Sequence, residues 1–333
     1  MKKTSLSRTI SATLALVILT GGALGRGAWL RWMSGTWSED TTAVEIVPGL
    51  DTPGRLAALE LQLPEEGRRV IEHIEIRSWE GRLSAGRYVF PAGESVKNSA
   101  ARLVSGNREA VRVVVPSGRD LGPIAGTTSR RIHADSSEVL ALLSEDSMLW
   151  RIVPNTYEMW WESDAEDVAH RLVREHRIWW NEDRTAAANA QGLTPQEATI
   201  LASIVQAETA LLSEASVVAG LYLNRLNKGM ALQADPTLIF ALGDPTIRRV
   251  LDMHKDIDSP YNTYKFKGLP PGPIRVVDSR YLMAVLQPSI HRHLYMCAKP
   301  GGDGTHDFAT SYREHLRNAR AYQSWLNKQR IYR

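Results

Sequence analysis

The sequence has one cysteine, Cys297, among 333 residues, which excludes two kinds of stabilising chemistry. A single thiol cannot close an internal disulfide, and it cannot supply a thiolate metal cluster. The simplest interpretation of Cys297 is a small, buried apolar residue, with a reactive thiol as the alternative. With 43% hydrophobic residues, the chain is long enough for two packed domains of about 100–200 residues each.

The sequence also lacks the signatures of several functional classes. Its 40 basic and 37 acidic residues are spread along the chain without a dense basic run or an interleaved aromatic stripe, which argues against a nucleic-acid partner. There is no glycine-rich phosphate loop and no Ser/His/Asp signature. The pairs His291/His293 and His170/His176 lack the i, i+4 spacing with an acid that helical zinc sites use. We therefore predict no metal and no cofactor.

Near the N-terminus there is an apolar run, Ile10–Gly25, preceded by the basic residues Lys2, Lys3 and Arg8. This order is typical of a membrane-targeting segment whose basic flank faces the cytoplasm. The run is short for a spanning helix, which needs about 20 residues. A cleaved signal peptide is the alternative, because Ala23–Gly25 resembles a small-residue cleavage site.

Trp29 and Trp32 extend the apolar run and are suited to a membrane interface. We expect the segments in the order cytoplasmic N-terminus, transmembrane signal-anchor and polar spacer, at 1–8, 9–30 and 31–42. The expected location is thus the bacterial inner (cytoplasmic) membrane, crossed once, with the rest of the chain outside the cytoplasm.

Short strand patterns alternate with helical patterns in the next part of the chain. The strands are predicted at Ala43–Val47, Ile74–Arg77, Gly86–Phe90 and Ala110–Val115. The helices are predicted at Arg55–Leu63, in a stretch that ends near His73, and at Ser95–Gly106. Helices flanked by short strands predict a small α+β module.

The following region is predicted to be mainly helical. The pattern is helical over Ile124–Leu149, turns at Pro154–Tyr157 and is helical again over Asp164–Asn181. The pairs Trp160-Trp161 and Trp179-Trp180 lie near the ends of this segment. Indole faces can stack on sugar rings, although packing between helices is the alternative.

A well-marked helix begins at Thr194–Glu197, where Thr is the N-cap, Pro follows at the first helical position and Glu completes a capping box. The helix is predicted to run to about Ala210. Its apolar face is formed by Ile200, Leu201, Ile204 and Val205. Glu208 follows Ile204 by four positions, which places this carboxyl group on the core-facing stripe or at its edge.

The position of Glu208 has a chemical consequence. Burial disfavours a charged carboxylate and raises its pKa, and an acid that keeps its proton near neutral pH can act as a general acid. The alternatives are a glutamate paired with an arginine, one satisfied by backbone donors, or one that reaches solvent from the helix end.

Polar loops follow this helix. A second amphipathic helix, Ser216–Leu226, is followed by turn-rich segments at Gly229–Thr237, Ser259–Tyr264 and Gly268–Ile274. Their amides, hydroxyls and tyrosines suit a polysaccharide groove, because amides and hydroxyls bind sugar hydroxyls and tyrosine faces stack on rings. Ordinary turns remain the alternative.

Four segments carry a resemblance to a known family. They are LASIVQAETA (201–210), VVAGLYLNRLNKGMALQADPTLIFALGD (217–244), SPYNTYKFKGLPPGPI (259–274) and GTHDFATSYREHLRNARAY (304–322). This sequence resembles the endolytic murein transglycosylases of the MltG (YceG-like) family, most specifically over 194–323. Upstream, GRYVFPAGESVKNSAARLVSG resembles the family's LysM-like subdomain, and VPNTYEMWWESDAEDVAHRL resembles its proline-and-tyrosine turn with the following helix. Ala210 departs from the glycine of many members, and 246–257 and 127–149 match poorly.

The resemblance implies an α+β fold with a small LysM-like α/β module, a mixed, helix-rich catalytic domain and an N-terminal membrane anchor. The corresponding segments are a LysM-like peptidoglycan-binding subdomain, a connecting helical region and a catalytic transglycosylase domain, at 43–122, 123–190 and 191–333. The implied partners are peptidoglycan glycan strands, the inner membrane and cell-wall synthesis enzymes.

The resemblance also implies roles for individual residues. Glu208 corresponds to the catalytic glutamate, which protonates the glycosidic oxygen and then accepts the proton of the muramyl C6 hydroxyl. The implied substrate-binding residues are Asn224, Gln233, Asp235, Tyr261, Asn262 and Tyr264. Arg225 is expected to form an ion pair or to contact substrate carboxylates. His306 and His315 are assigned to packing or to the rim of the groove.

Two other functions stay open at this point. A lysozyme-like hydrolase usually needs a second carboxylate, and Glu214 and Asp235 are the candidates. A membrane-anchored, non-catalytic peptidoglycan-binding protein is the other alternative, but an inactive relative would be expected to lack Glu208.

Overall fold

The computed structural model describes residues 22, 24–145, 148–244, 246–247 and 250–329. The described part of a first helix, α1, covers residues 24–34. The strands are β1 (Thr42–Ile46), β2 (Gly86–Phe90), β3 (Ala110–Val115), β4 (Asn155–Trp160), β5 (Tyr295–Ala298) and β6 (His306–Ala309).

The other α-helices are α2 (Thr52–Gln62), α3 (Arg68–Ile76), α4 (Val96–Val104), α5 (Gly122–Ser129), α6 (Ser136–Leu143), α7 (Ala165–Trp179), α8 (Glu182–Ala190), α9 (Pro195–Glu208), α10 (Leu212–Asn227), α11 (Asp235–Leu242), α12 (Ser279–Leu286) and α13 (Tyr312–Lys328). Short 3₁₀ turns occur at Glu65–Gly67, Glu80–Arg82, Leu149–Arg151 and Asp252–Asp256. The fold is therefore a helix-rich α+β fold, as the sequence predicts.

The predicted membrane segment, 9–30, and the N-terminal residues 1–8 lie mostly outside the described residues. Only residues 22 and 24–30 of that segment are described, and they are helical. Among the described residues, none of the helices combines the length and the apolar character that crossing a membrane requires.

The first compact unit comprises the described residues up to Val111 together with 131–133 and 158–163. Its antiparallel hairpin pairs β1 with β2, with Thr42 opposite Phe90 and Ile46 opposite Gly86. Helices α2, α3 and α4 bury their apolar faces with this hairpin. The fully buried side chains of this unit include Ile46, Leu59, Ile74, Leu83, Tyr88, Phe90 and Leu103.

The strand predicted at Ile74–Arg77 is wrong, because residues up to Ile76 continue helix α3. Val70, Ile71 and Ile74 are all buried, which is the i, i+1, i+4 spacing of one helical face. The alternation of Ile74 and Ile76 suggests a strand, but the apolar helical face of the whole segment determines the structure. Ile76 lies off that face and is 62% exposed.

The segment predicted as a polar spacer, 31–42, contributes to this core. Met33 and Trp37 are buried. The indole Nε1 of Trp37 donates a 2.8 Å hydrogen bond to the hydroxyl of Ser99, and its ring meets Phe90 edge-on at 5.3 Å. These contacts attach the segment that precedes β1 to helix α4 and strand β2.

The second compact unit comprises 112–130, 134–157 and the described residues from 164 onward. Helix α9 lies at its centre, since every residue from Ala198 to Val205 is buried. The core around it is built by residues of α8, α10 and α12, including Ala188, Val218, Leu221, Tyr222, Leu282 and Val285. Strands β5 and β6 pair antiparallel, with Tyr295 opposite Ala309 and Ala298 opposite His306.

Two sequence predictions upstream of α9 differ from the structure. The turn predicted at Pro154–Tyr157 is the beginning of β4, in which Tyr157 and Met159 are buried in alternation. The helical pattern over 124–149 is divided into α5 and α6, because the side chain of Asp135 caps α6 by accepting hydrogen bonds from the amides of Ser137 and Glu138.

Residues 112–130 belong structurally with the predicted catalytic domain. The hydroxyl of Ser117 donates a 2.9 Å hydrogen bond to the carbonyl of Val276, and the side-chain amide of Gln206 donates one of 2.9 Å to Ser117. Gly118 forms an antiparallel bridge with Val276. The packed unit that contains α9 therefore includes chain far upstream of residue 191.

Candidate active site

The central helix α9 carries Glu208 as its last residue. Its capping box is confirmed, because the amide of Glu197 donates to the Thr194 hydroxyl at 3.2 Å and the amide of Thr194 donates to the Glu197 carboxylate at 2.8 Å. The helix ends at Glu208, two residues before the predicted end, and Thr209 is the C-cap. The carboxyl end of a helix disfavours negative charge, so the fold itself disfavours an ionised Glu208.

Glu208 lines a cavity of about 380 Å³. The cavity is formed by the end of α9, one face of α10, the segment that leads into α11 with its first residue, the loop that carries Tyr264, strand β5 and the beginnings of β6 and α13. Its lining residues are Glu208, Leu221, Tyr222, Arg225, Leu232, Gln233, Asp235, Tyr264, Met296, Cys297, Ala298, His306 and His315.

The environment of Glu208 favours its protonated form. The pKa of Glu208 is raised to about 7, mainly by burial. A hydrogen bond from Tyr222 opposes this rise, the nearby negative charge of Asp235 adds to it, and the positive charge of Arg225 opposes it. The Tyr222 hydroxyl donates to Glu208 Oε1 at 2.7 Å. Glu208 keeps intermediate exposure because it faces the cavity. A proton held on an accessible carboxyl near neutral pH is what general-acid catalysis requires.

Tyr222 lies on the same face of α10 as the core residue Val218 and is only 2% exposed. Burial raises the pKa of Tyr222 well above its ordinary value, and the neighbouring Glu208 raises it further. Its hydroxyl is therefore a fixed hydrogen-bond donor to the acid. Sequence reasoning did not single out Tyr222, although a tyrosine four positions after Val218 on an apolar helix face was a usable signal.

Arg225 provides a buried positive charge in the cavity wall. Its Nε donates to the carbonyl of Leu294 at 2.6 Å and its Nη1 donates to the carbonyl of Leu232 at 2.6 Å. The guanidinium also lies over the ring of Tyr295. Within the described ranges no carboxylate lies within ion-pair distance of Arg225, so the expected ion pair is not formed. Backbone carbonyls hold the side chain instead.

Three of the predicted binding residues meet at the cavity. The Tyr264 hydroxyl donates a 2.5 Å hydrogen bond to Asp235 Oδ1. Gln233 has a left-handed backbone (φ 52°) that is uncommon for a non-glycine residue, and its amide donates to the carbonyl of Thr263 at 3.0 Å. This conformation turns the chain so that Gln233 and Asp235 both face the cavity.

Asn262 and Tyr261 are not among the residues that line the cavity. Asn262 is 0% exposed, and its side-chain amide donates to the carbonyls of Lys255 and Ile257 at 2.9 and 2.8 Å. Its own oxygen accepts from the amide of Tyr264 at 3.0 Å. Asn262 therefore shapes the loop that carries Tyr264. Tyr261 packs against Phe240, with ring centroids 4.7 Å apart.

Asn224 also has a structural position. Its side-chain amide donates to the carbonyls of His291 and His293 at 2.9 and 3.1 Å. His291 is itself bonded to the carbonyl of Val217 at 2.9 Å, which agrees with the expectation of a satisfied histidine. These bonds attach the segment before β5 to helix α10, and β5 in turn forms part of the cavity wall.

Glu214, a candidate second carboxylate, is bound to a histidine. Its Oε2 lies 2.8 Å from Nδ1 of His306, and its Oε1 accepts the backbone amide of His306 at 2.9 Å. His306 lines the cavity, as does His315, which stacks on Tyr295 at 5.4 Å. Within the part of the chain that the structure describes, the His, Cys, Asp and Glu side chains form no group of three or more suited to a metal.

A carboxylic acid with a pKa near 7, fixed at a helix end in a polar cavity, has the properties that general acid–base catalysis requires. Residues 60–321 match the YceG-like family, and the chain belongs to that family. It is 26% identical over 271 residues to the endolytic murein transglycosylase of Bacillus subtilis, covering 73% of this chain and 74% of that protein.

Two further relatives extend the comparison. The endolytic murein transglycosylase of Streptococcus pneumoniae strain D39 is 34% identical over 137 residues, covering 39% of this chain and 24% of that protein. The crystal structure of a YceG-like protein from Listeria monocytogenes aligns with a TM-score of 0.53 at 23% identity. That alignment covers 84% of this chain and 99% of the Listeria chain and shows a common fold.

Proposed function

We propose that this protein is an endolytic lytic transglycosylase that cleaves the bond between N-acetylmuramic acid and N-acetylglucosamine in peptidoglycan strands. The observation that carries this proposal is Glu208, an accessible acid whose pKa is raised to about 7 by burial. Membership of the YceG-like family and the activity named for the Bacillus subtilis relative support it.

Glu208 serves twice in one turnover. Protonated Glu208 gives its proton to the glycosidic oxygen as the bond from that oxygen to the muramyl C1 breaks. The resulting carboxylate then takes the proton of the muramyl C6 hydroxyl, whose oxygen bonds to C1. The products are a 1,6-anhydromuramyl end and a new N-acetylglucosamine end, no water is consumed, and Glu208 regains its proton. Because the nucleophile belongs to the substrate, the reaction profits from a high effective molarity.

The remaining cavity residues suit a sugar ligand. Gln233, Asp235 and Tyr264 present amide, carboxylate and hydroxyl groups beside Glu208. Such groups fix the orientation of sugar hydroxyls, and the tyrosine ring offers a face for stacking. We assign these three to substrate binding, while Asn224, Tyr261 and Asn262 act by shaping the loops.

A hydrolase is the main alternative, and it usually needs a second carboxylate facing the acid. Glu214 is engaged by His306, and Asp235 accepts a hydrogen bond from Tyr264. Both acids therefore have structural partners, which favours the transglycosylase.

The proposal extends to the whole chain. The first compact unit, with its β1–β2 hairpin and helices α2–α4, is proposed to be the LysM-like module that holds a glycan strand. The apolar run at 10–25 is proposed to anchor the protein in the inner membrane with the active site outside the cytoplasm. In that position the enzyme would terminate nascent strands beside the cell-wall synthesis enzymes.

Digestion of purified sacculi by a chain that begins at residue 31 tests the proposal. Mass spectrometry is expected to find 1,6-anhydromuramyl ends, and E208Q is expected to yield none while remaining folded by circular dichroism. The matched control is E197Q, the same change at the other end of α9, where glutamine can also complete a capping box. Reducing muramyl ends would indicate a hydrolase, and full activity of E208Q would refute the role of Glu208.

A further inference from the structure

Glu214 and His306 form a partly buried pair, of which His306 lines the Glu208 cavity. Glu214 lies in the first turn of α10 and His306 is the first residue of β6. Two hydrogen bonds connect them, one to the imidazole Nδ1 at 2.8 Å and one to the backbone amide at 2.9 Å. Their side chains are only 14% and 16% exposed. Such a pair holds the ring in a single orientation.

The pair also determines which ring nitrogen carries the proton. When the Glu214 carboxyl group is ionised it can only accept hydrogen bonds, and the Nδ1 of His306 is then the donor to it. In the neutral ring Nε2 then has a free lone pair. Among the described residues Nε2 has no hydrogen-bond partner, and it is not among the side-chain atoms sealed from solvent. An oriented acceptor is thus left available on a residue that lines the cavity.

The other histidines near the site differ from His306 in this respect. His291 uses its Nε2 to contact the carbonyl of Val217. In His315 the Nδ1 is sealed from solvent without a partner, and the ring stacks on Tyr295. Of these three, only His306 combines a carboxylate on one nitrogen with an unoccupied second nitrogen.

We propose that His306 contacts the substrate, with Nε2 accepting a hydrogen bond from a sugar hydroxyl of the bound strand, and that Glu214 is the positioning residue that fixes this tautomer. The proposal rests on the proposed transglycosylase function and deepens it. No proton is transferred to His306 in the turnover, because Glu208 both gives and recovers the proton. The contribution of the pair is to orient the strand with respect to Glu208.

The variant E214Q separates this role from a structural one. The glutamine oxygen can still accept the backbone amide of His306, while its NH₂ group donates to Nδ1 and forces the proton onto Nε2. The acceptor that faces the cavity becomes a donor although the geometry is kept. A wrong imidazole tautomer is costly in serine proteases, where the corresponding carboxylate-to-amide change preserves the structure. We expect kcat/KM on sacculi to fall about 10-fold or more, the loss of one productive hydrogen bond.

Nitrogen NMR of the His306 side chain provides a readout independent of activity. The wild-type protein is expected to show the Nδ1–H tautomer, and E214Q the Nε2–H tautomer. If Glu214 acted in packing alone, E214Q would be less stable, but a change of the His306 tautomer would not be accompanied by a fall in kcat/KM. An Nε2–H tautomer in the wild type would overturn the proposal even if E214Q could not be purified.

Two substitutions of His306 complete the test. The side-chain oxygen of glutamine reaches the position of Nε2, whereas the shorter asparagine does not, so H306Q is expected to retain more kcat/KM than H306N. Equal kcat/KM in the wild type, E214Q and both His306 variants would overturn the proposal while leaving the transglycosylase intact. Absence of anhydromuramyl ends with the wild type would instead contradict the proposed function.

Discussion

Two neighbours of Glu208 shift its pKa in opposite directions. The hydroxyl of Tyr222 stabilises the carboxylate through a 2.7 Å hydrogen bond, and the negative charge of Asp235 destabilises it. The dominant cause of the raised pKa, burial, comes from the position of Glu208 at the end of α9. The pKa of about 7 is therefore adjustable in both directions by changes to single neighbours.

The pH dependence of catalysis follows from this balance. Since protonated Glu208 is the proposed active form, kcat/KM is expected to decline above a pH of about 7. Y222F removes the bond that lowers the pKa and should move this decline to higher pH. D235N removes the charge that raises the pKa and should move it to lower pH. Profiles of kcat/KM against pH measure both, and shifts in the same direction for the two variants would contradict this account.

At this scale the sequence predicts the acid and, through the family resemblance, the cavity residues Gln233, Asp235 and Tyr264, but it does not predict Tyr222. The spacing of Glu208 from Ile204 and Leu201 indicates its place at the edge of the core, and the resemblance to the family indicates its role. Asn262 illustrates the limit, because its amide character suits a sugar as well as it suits the carbonyls of Lys255 and Ile257. The partner of the Asn262 amide depends on the folded conformation of its loop, which the local sequence does not determine.

Elements are predictable where one local signal dominates. The capping box at Thr194–Glu197 and the alternating strand Gly86–Phe90 appear where they are expected. Ile74–Arg77 and Pro154–Tyr157 do not, since four residues contain too little pattern to distinguish a strand from the end of a helix or from a turn. The burial that decides between them comes from distant parts of the chain.

Helix α10 includes a glycine whose role depends on a neighbouring loop. A β-carbon on Gly220 would lie 2.5 Å from the carbonyl oxygen of Ser289 and 2.9 Å from the His291 ring. Alanine has the higher helix propensity, but here it would displace the loop that Asn224 holds. The close approach of this loop to α10 thus requires glycine.

We expect Gly220→Ala to lower the free energy of unfolding by about 1–3 kcal/mol, the usual cost of overpacking. The matched control is Gly126→Ala in α5, where the nearest atom to a new β-carbon is the flexible end of Arg130 at 3.4 Å. That change should be neutral or stabilising by up to about 1 kcal/mol. Urea denaturation measures both, and equal effects would mean that the loop moves away without cost.

On the scale of the whole molecule, the boundary of the second unit is the feature that the sequence did not predict. The family-like motifs become dense from residue 194, which suggests a domain beginning at 191. Yet the core around α9 includes Ala188, with Trp179 and Trp180 packed against it. A high density of family-like motifs shows where the functional residues lie in the sequence. The limits of a folding unit depend instead on which side chains are buried in the same core.

A chain of residues 112–333 is therefore expected to unfold cooperatively at a higher urea concentration than one of residues 191–333. The shorter chain loses the contacts of Ser117 with Gln206 and Val276 as well as the buried side chain of Ala188. Tryptophan fluorescence and circular dichroism during denaturation measure the two midpoints. If the midpoints coincided, residues 112–190 would contribute nothing to the stability of the unit.

Cys297 has a practical consequence. This lone thiol lies in the wall of the Glu208 cavity with intermediate exposure, and burial raises its pKa. It should therefore react slowly with maleimides at neutral pH and faster in mildly alkaline buffer, where more thiolate is present. A bound saccharide would shield it, so the rate of alkylation reports occupancy of the cleft without any engineered label site.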